Sequence, residues 1–263
     1  MAETRPPGAD FMARYDFRSP RLLVAAPLGP GATVMLDAAQ AHYLASVLRL
    51  KAGAPLLVFN GRDGEWKARF AGADKRQAAV TVETQARPQT PPGNLHYLFS
   101  PLKRARLDYM VQKAVEMGAS LLQPVMMRHT QAERVNLDRM HANAIEAAQQ
   151  CGILAVPEIM APVDFEHAIA ALAPSRHLVF CDEEAPRADP VQALRAALGE
   201  ARPDRVGLAV IIGPEGGFGD DERAVLLRRR ETSRIALGPR ILRADTAAVA
   251  ALAIVQAAVG DWR

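Results

Sequence analysis

From Leu95 to Gly260 the chain alternates short apolar runs with amphipathic segments, and this alternation restricts the fold more than any other feature. The runs "LHYLF", "LLQPVM", "HLVFCD", "VGLAVIIG" and "SRIALG" have strand length. Helical segments lie between them. "RARLDYMVQKAVEMGA" places Leu107, Met110, Val111, Ala114 and Val115 on one face and stops at Gly118. "NLDRMHANAIEAAQQCG" starts at Asn136, a capping residue, and "DPVQALRAAL" has Asp189 as cap with Pro190 in the first helical position. "DDERAVLLRRR" opens acidic and closes basic, which suits a helix dipole, and "TAAVAALAIVQAAVG" is the last helix. "VGLAVIIG" is apolar almost throughout, as a parallel strand covered on both faces must be. The pattern predicts an α/β domain on a mainly parallel sheet.

The first third is patterned differently. "RLLVAA", "ATVML", "APLLVFNGRDGEWKARF" and "QAAVTVET" are short strands, with tight turns at Asn60-Gly61 and Asp63-Gly64. One helical patch, "AQAHYLASVLRLKAG", interrupts them and is expected to run to Gly53. A small β-barrel follows from this reading. The proline-rich "ARPQTPPGN" then reads as a linker. The expected organisation is an N-terminal extension over 1–20, the barrel over 21–85, the linker over 86–94 and the α/β domain over 95–263.

Composition narrows the class. The 263 residues are 49% hydrophobic and 23% charged, the balance of a soluble chain with a substantial core. "MAETRPPGADFMARYDF" holds no apolar signal region, and the longest apolar run, Ala247 to Val255, is too short to span a bilayer. A cytoplasmic protein with no membrane association is expected. Cys151 and Cys181 have no metal-like spacing and read as buried, reduced thiols, and no metal site is expected from the scattered histidines. Residues 1–88 hold 12 Lys and Arg against 8 Asp and Glu, whereas residues 89–263 hold 20 against 21. The basic bias is N-terminal and favours an anionic partner there.

In open α/β sheets ligands bind beyond the carboxyl ends of the strands. "FCDEEAPRAD", "GPEGGFGDD" and "LGPRILRADTA" occupy that position. None contains G-x-G-x-x-G or G-K-[ST], so these are not nucleotide-phosphate loops. Glycine beside a carboxylate, Glu215, suits a ligand that is neutral or cationic at its reacting centre, such as a sulfonium.

"IGPEGGF", Ile212 to Phe218, and "LGPRILRADTAAVAAL", Leu237 to Leu252, closely resemble the paired signature of the ribosomal RNA small subunit methyltransferase E family, which belongs to the SPOUT class. "HYLASVLRLKAG" resembles its N-terminal PUA-like element, and "DYMVQKAVEMGA" and "EAAQQCGILAVPEI" resemble its early catalytic-domain helices. The resemblance covers about residues 21–260. It implies a trefoil-knotted α/β domain behind a PUA-like barrel, a homodimer formed through helices beside the knot, and S-adenosylmethionine as cofactor. The implied reaction is methylation of N3 of one uridine in 16S ribosomal RNA within the small subunit. A SPOUT ribose 2′-O-methyltransferase and a non-catalytic RNA-binding assembly factor are the alternatives.

The resemblance also implies roles. Phe180, Cys181, Gly213, Pro214, Glu215, Leu237, Gly238, Ile241 and Leu242 are the expected cofactor-binding residues. At Gly213 and Gly238 a Cβ would block close approach of the backbone to adenine or ribose. Glu215 and Asp245 are both candidates for the base that takes the N3 proton, given a dry site that raises a carboxylate's pKa. Arg243 would stabilise charge on the uracil oxygens or hold the target phosphate. Arg49 and Lys51 on the N-terminal module, and Lys103, Arg104, Arg128 and Arg134 near the junction, are the expected RNA contacts. Two departures from the family pattern bear on geometry: Ile153 stands where an arginine is common, and Asp245 where a glutamate is usual.

Overall fold

The computed structural model describes residues 16, 18–73, 78–199 and 207–262. Most of the expected N-terminal extension therefore lies outside the described residues. The chain divides into two compact units, Met1–Thr90 with Ala148–Ala155 and Pro91–Ala147 with Val156–Arg263.

The N-terminal unit is a five-stranded sheet of β1 (Arg21–Leu23), β2 (Thr33–Met35), β3 (Pro55–Phe59), β4 (Glu65–Ala73) and β5 (Ala78–Arg87), ordered β1-β3-β4-β5-β2. β1 runs parallel to β3, and the other pairs are antiparallel. Alternation sets the faces: Val34 is buried between exposed Thr33 and Met35, and it joins Leu22, Leu44, Val58, Phe70 and Val80 in one core. The β3–β4 turn is held by Asn60, whose Oδ1 accepts from the amides of Arg62 and Asp63. Gly64 closes it at φ 84°, where a Cβ would stand 2.4 Å from the Arg87 carbonyl oxygen.

Helix α1 (Ala38–His42) starts in a capping box between Asp37 and Gln40. It passes into a π-helical turn over Tyr43–Val47 and ends well before Gly53. Arg49 adopts φ 54° and the Leu50 amide reaches back to the Leu44 carbonyl, so the helix stops without a glycine.

Part of the N-terminal basic bias is used inside this unit. Glu65 is buried and receives Arg21 Nε at 2.9 Å and Arg87 Nε at 2.8 Å, and Arg87 also donates to the Gly152 carbonyl.

The C-terminal unit is a parallel sheet of β6 (Leu95–Phe99), β7 (Ala119–Met126), β8 (Glu158–Ile159), β10 (His177–Cys181), β11 (Leu208–Ile212) and β12 (Thr232–Ile235). Their order is β12-β10-β11-β6-β7-β8, and the short β9 (Val163–Asp164) also pairs with β7. The helices are α2 (Arg104–Glu116), α3 (Leu137–Cys151), α4 (Phe165–Ala171), α5 (Pro190–Leu198), α6 (Asp220–Arg228) and α7 (Ala244–Val259). Every residue of β11 is buried, and α2 buries the five predicted positions. Asn136 and Asp189 cap as predicted, by accepting from the amides of Arg139 and of Val191 and Gln192. α4 and the two short strands were not anticipated. Cys151 is exposed rather than buried, because it ends α3 on the solvent side, and neither cysteine is in a disulfide.

Removing Glu65 leaves two buried guanidiniums without their carboxylate, so Glu65→Ala is expected to lose about 3–5 kcal/mol in urea unfolding. A second expectation concerns pH. Burial and the nearby Arg176 charge lower the His96 pKa to about 4, and burial lowers that of His177, whose Nε2 lies 2.8 Å from Ser233 Oγ. The unfolded chain, with histidines near pKa 6.5, then binds protons that the folded chain refuses. This contribution is complete above that value and is lost as pH falls toward about 4. Melting temperature should drop between about pH 7 and pH 5, and His96→Gln should shrink the drop.

Candidate active site

The carboxyl ends of β10, β11 and β12 open onto a cavity of about 200 Å³, closed by the loop from Leu237 to Leu242 and the first turn of α7. Three carboxylates, Asp182, Glu183 and Glu215, and three guanidiniums, Arg187, Arg223 and Arg240, line it beside Ile212, Ala236, Leu237, Ile241 and Leu242. This balance of charge does not suit a polyphosphate.

The loop after β11 is set by packing. A Cβ on Gly213 would stand 2.7 Å from Phe218 Cε2. Phe218 is buried edge-on against Phe180, with ring centroids 4.9 Å apart. Gly213 lines the first cavity, and its missing side chain makes room for Phe218. Gly216 is crowded in the same way by His129, and Gly219 by Arg128. Gly238 differs, because it has φ 103° and open space where a Cβ would be. Glu222 joins two loops by accepting from the Arg128 amide and the Gly219 amide, each at 2.8 Å.

Beyond β10, Asp182 is buried and binds Arg234 Nε at 2.6 Å and Arg223 Nη2 at 3.2 Å, while Arg223 also pairs with Glu184. The Arg223 hydrogen bond holds the Glu184 carboxyl below its ordinary range. Cys181 lines the cavity, and burial followed by the Asp182 charge pushes its thiol pKa well up, so it is no thiolate nucleophile. Phe180, one residue earlier, points to the opposite face and lies in the core rather than on the cavity wall. Ile241 lines the cavity although it is 95% exposed.

A second cavity of about 280 Å³ lies after β6 and β11, lined by Ser100, Pro101, Leu102, Lys103, Arg106, Gln131, Pro214 and Glu215. The two cavities share Pro214 and Glu215. Glu215 is paired with Arg106, and both side chains are about 40% exposed (38% and 41%). The dry surroundings expected for Glu215 are therefore absent in the single chain. Asp245 sits in the first turn of α7, accepts from the Thr246 amide and lines neither cavity. Arg243 is exposed at the N-cap of α7, also outside both cavity walls.

Of the expected RNA contacts, Lys103 lies on the second cavity. Arg104, Arg128 and Arg134 are exposed on the C-terminal unit, with Arg128 4.0 Å from Asp221. Arg49 and Lys51 are exposed on the N-terminal unit. Sequence reading missed Arg106, Asp182, Arg223 and Glu222. The only signal for Arg106 was a basic residue in the first turn of a helix following a strand.

Residues 89–256 match the family model described as an RNA methyltransferase domain, and residues 36–83 one described as an RNA methyltransferase PUA domain. Ribosomal RNA small subunit methyltransferase E of Synechocystis is 31% identical over 241 residues, covering 90% of this chain and 77% of that protein. The chain belongs to this methyltransferase E family. The Rickettsia conorii member is 29% identical over 82% of this chain and 85% of its own length. The Neisseria gonorrhoeae member, solved with S-adenosyl methionine bound, superposes with a TM-score of 0.80 at 25% identity and covers 94% of this chain and all of that one (100%).

If Gly213 serves Phe218, the two positions must be coupled. Gly213→Ala is expected to cost about 1–3 kcal/mol by overpacking. Phe218→Leu should relieve most of that cost, giving a coupling of roughly 1 kcal/mol or more in a double-mutant cycle of unfolding free energies.

Proposed function

We propose that this chain transfers a methyl group from S-adenosylmethionine to N3 of a uridine in 16S ribosomal RNA of the small subunit, as a cytoplasmic homodimer with a trefoil-knotted catalytic domain. The observation that carries this reading is the pair of adjacent cavities with Glu215 on both. One is lined by Leu237, Ile241 and Leu242 with its acids and bases in balance, and the other carries Lys103 and Arg106 beside Glu215.

The first cavity fits the cofactor. Open space at Gly238 lets the backbone approach a nucleoside, and Leu237, Ile241 and Leu242 offer an apolar slot for adenine. Pro214 and Cys181 border the same space. At about 200 Å³ the cavity is smaller than the roughly 300 Å³ or more of sites that enclose drug-sized ligands, so it would hold part of the cofactor. Exposed Ile241 is then the residue that covers it. When bound, the cofactor supplies an electrophilic methyl group on a sulfonium.

This chain's own residues position the uridine and take its proton. Glu215 accepts the N3 proton once RNA covers the site and removes water from its carboxylate. Asp245 braces the start of α7, where a carboxylate suits the helix dipole. Arg243, exposed at that N-terminus, holds a phosphate, as do Lys103, Arg104, Arg128 and Arg134, with Arg49 and Lys51 acting from the PUA-like unit. On α7, Val249, Ala250, Ala253 and Ile254 stay half-buried in the single chain, which supports a partner subunit on that face. No helix among the described residues is long and apolar enough to cross a membrane.

Primer extension across small-subunit RNA from a deletion strain tests the reaction. A stop present in the parent strain should vanish in the mutant and return with the wild-type gene. Nucleoside analysis should find the methyl on the base; a methyl on the ribose would instead establish 2′-O transfer. Absence of calorimetric heat with S-adenosylmethionine would reduce the protein to an RNA-binding factor.

A further inference from the structure

β6 and β11 are neighbours in the sheet, yet their onward connections part: β6 leads through α2 to β7 on one side, and β11 leads through α6 to β12 on the other. A parallel sheet opens a crevice where connections diverge in this way. The cavity of about 280 Å³ lies there, just under the roughly 300–1,000 Å³ of sites for drug-sized ligands, and has room for a single ring. Pro214 and Leu102 give it apolar surface. Ser100, whose Oγ bonds Thr130 Oγ1 at 2.8 Å, and Gln131 also line it, and its charged groups are Lys103, Glu215 and Arg106. They supply cationic donors around one anionic acceptor. The Watson–Crick edge of uracil is the complement, a donor N3–H between two carbonyl oxygens. Cytosine offers a bare N3 to the carboxylate and an amine to the cation, so it is mismatched at two positions.

We propose that this cavity receives one uracil turned out of RNA, and that Arg106 is the residue that distinguishes uracil from cytosine. The inference rests on the uridine reading above. A guanidinium has five donors, so Arg106 keeps Glu215 in place with one edge and gives another N–H to a uracil carbonyl. Glu215, fixed by that pair, meets N3–H. In the free chain both side chains are about 40% exposed (41% and 38%), so a base entering the cavity would cover them.

The test compares oligouridylate with oligocytidylate of equal length by fluorescence anisotropy, using the intact chain. The phosphate contribution is common to both and cancels in the ratio. Wild type should prefer oligouridylate by roughly ten-fold, the scale of a well-made recognition hydrogen bond. Arg106→Ala should bring the ratio toward unity, and Arg106→Lys should restore it only in part because the fork is lost. Glu215→Gln replaces a pure acceptor with a group that can also donate, and it should move the preference toward oligocytidylate. Loss of loop structure alone would weaken both oligonucleotides together and could not produce that shift. Circular dichroism and melting establish that each variant is folded. A wild-type ratio of one, or a ratio that stays at the wild-type value in Arg106→Ala and Glu215→Gln, overturns the inference. If wild type places the methyl on uridine N3 while the ratios fail to move, this inference falls and the proposed reaction stands. If the ratios move but no base methyl forms, the cavity stands and the proposed reaction falls.

Discussion

The catalytic end of the molecule depends on Phe218 lying against the bare α-carbon of Gly213. That contact lets the ring turn back under the end of β11 and pack edge-on against Phe180, in a core shared with Leu98, Leu178 and Ile211. With its far end held there, the loop exposes Glu215 and Gly216 and turns back through φ 74° at Gly217. Glu215 borders both cavities. Glu222 then ties the end of this loop to the segment after β7 through two amides. A glycine-rich loop is commonly a mobile one, yet here most of the glycines admit close packing and hold the loop to one path.

Electrostatics on the other side of the first cavity follow the same logic of prior compensation. Asp182 carries the cost of burial because two guanidiniums meet it, and Arg223 in turn takes Glu184. Two acids therefore offset two bases, and of these Asp182 and Arg223 line the cavity. A cavity built this way exerts little net pull on a polyanion but can still give individual hydrogen bonds to a zwitterionic ligand. The buried trio of Arg21, Glu65 and Arg87 repeats the pattern in the N-terminal unit, and it removes two arginines from any count of cations available to RNA.

What the sequence made legible was whatever depends on near neighbours. The apolar run of β11, the stripe on α2, and the caps at Asn136 and Asp189 all express local periodicity or a side chain reaching its own backbone. The end of the first helix was missed because Arg49 takes the left-handed turn that glycine normally marks. α4 escaped notice because its seven residues are too few to establish a period. Arg106 and Glu215 are 109 positions apart, and Asp182 and Arg234 are 52 apart. No local pattern predicts such meetings. Phe180 shows a finer limit: the end of β10 borders the first cavity, but the two-residue alternation decides that Cys181 lines it and Phe180 joins the core.

The two carboxylates that the sequence left level stand in different surroundings. Asp245 spends one oxygen on the next amide along its own helix and borders neither cavity, so a proton arriving from a bound base would have to travel to reach it. Glu215 borders both cavities, and what it lacks in the free chain is dryness rather than position. A guanidinium beside an exposed carboxylate contributes little while water screens the pair. The same pair strengthens when a flat ligand seals the rim and the local dielectric falls. A base that enters the second cavity would thus create the conditions under which Glu215 can take its proton, and only while the base remains.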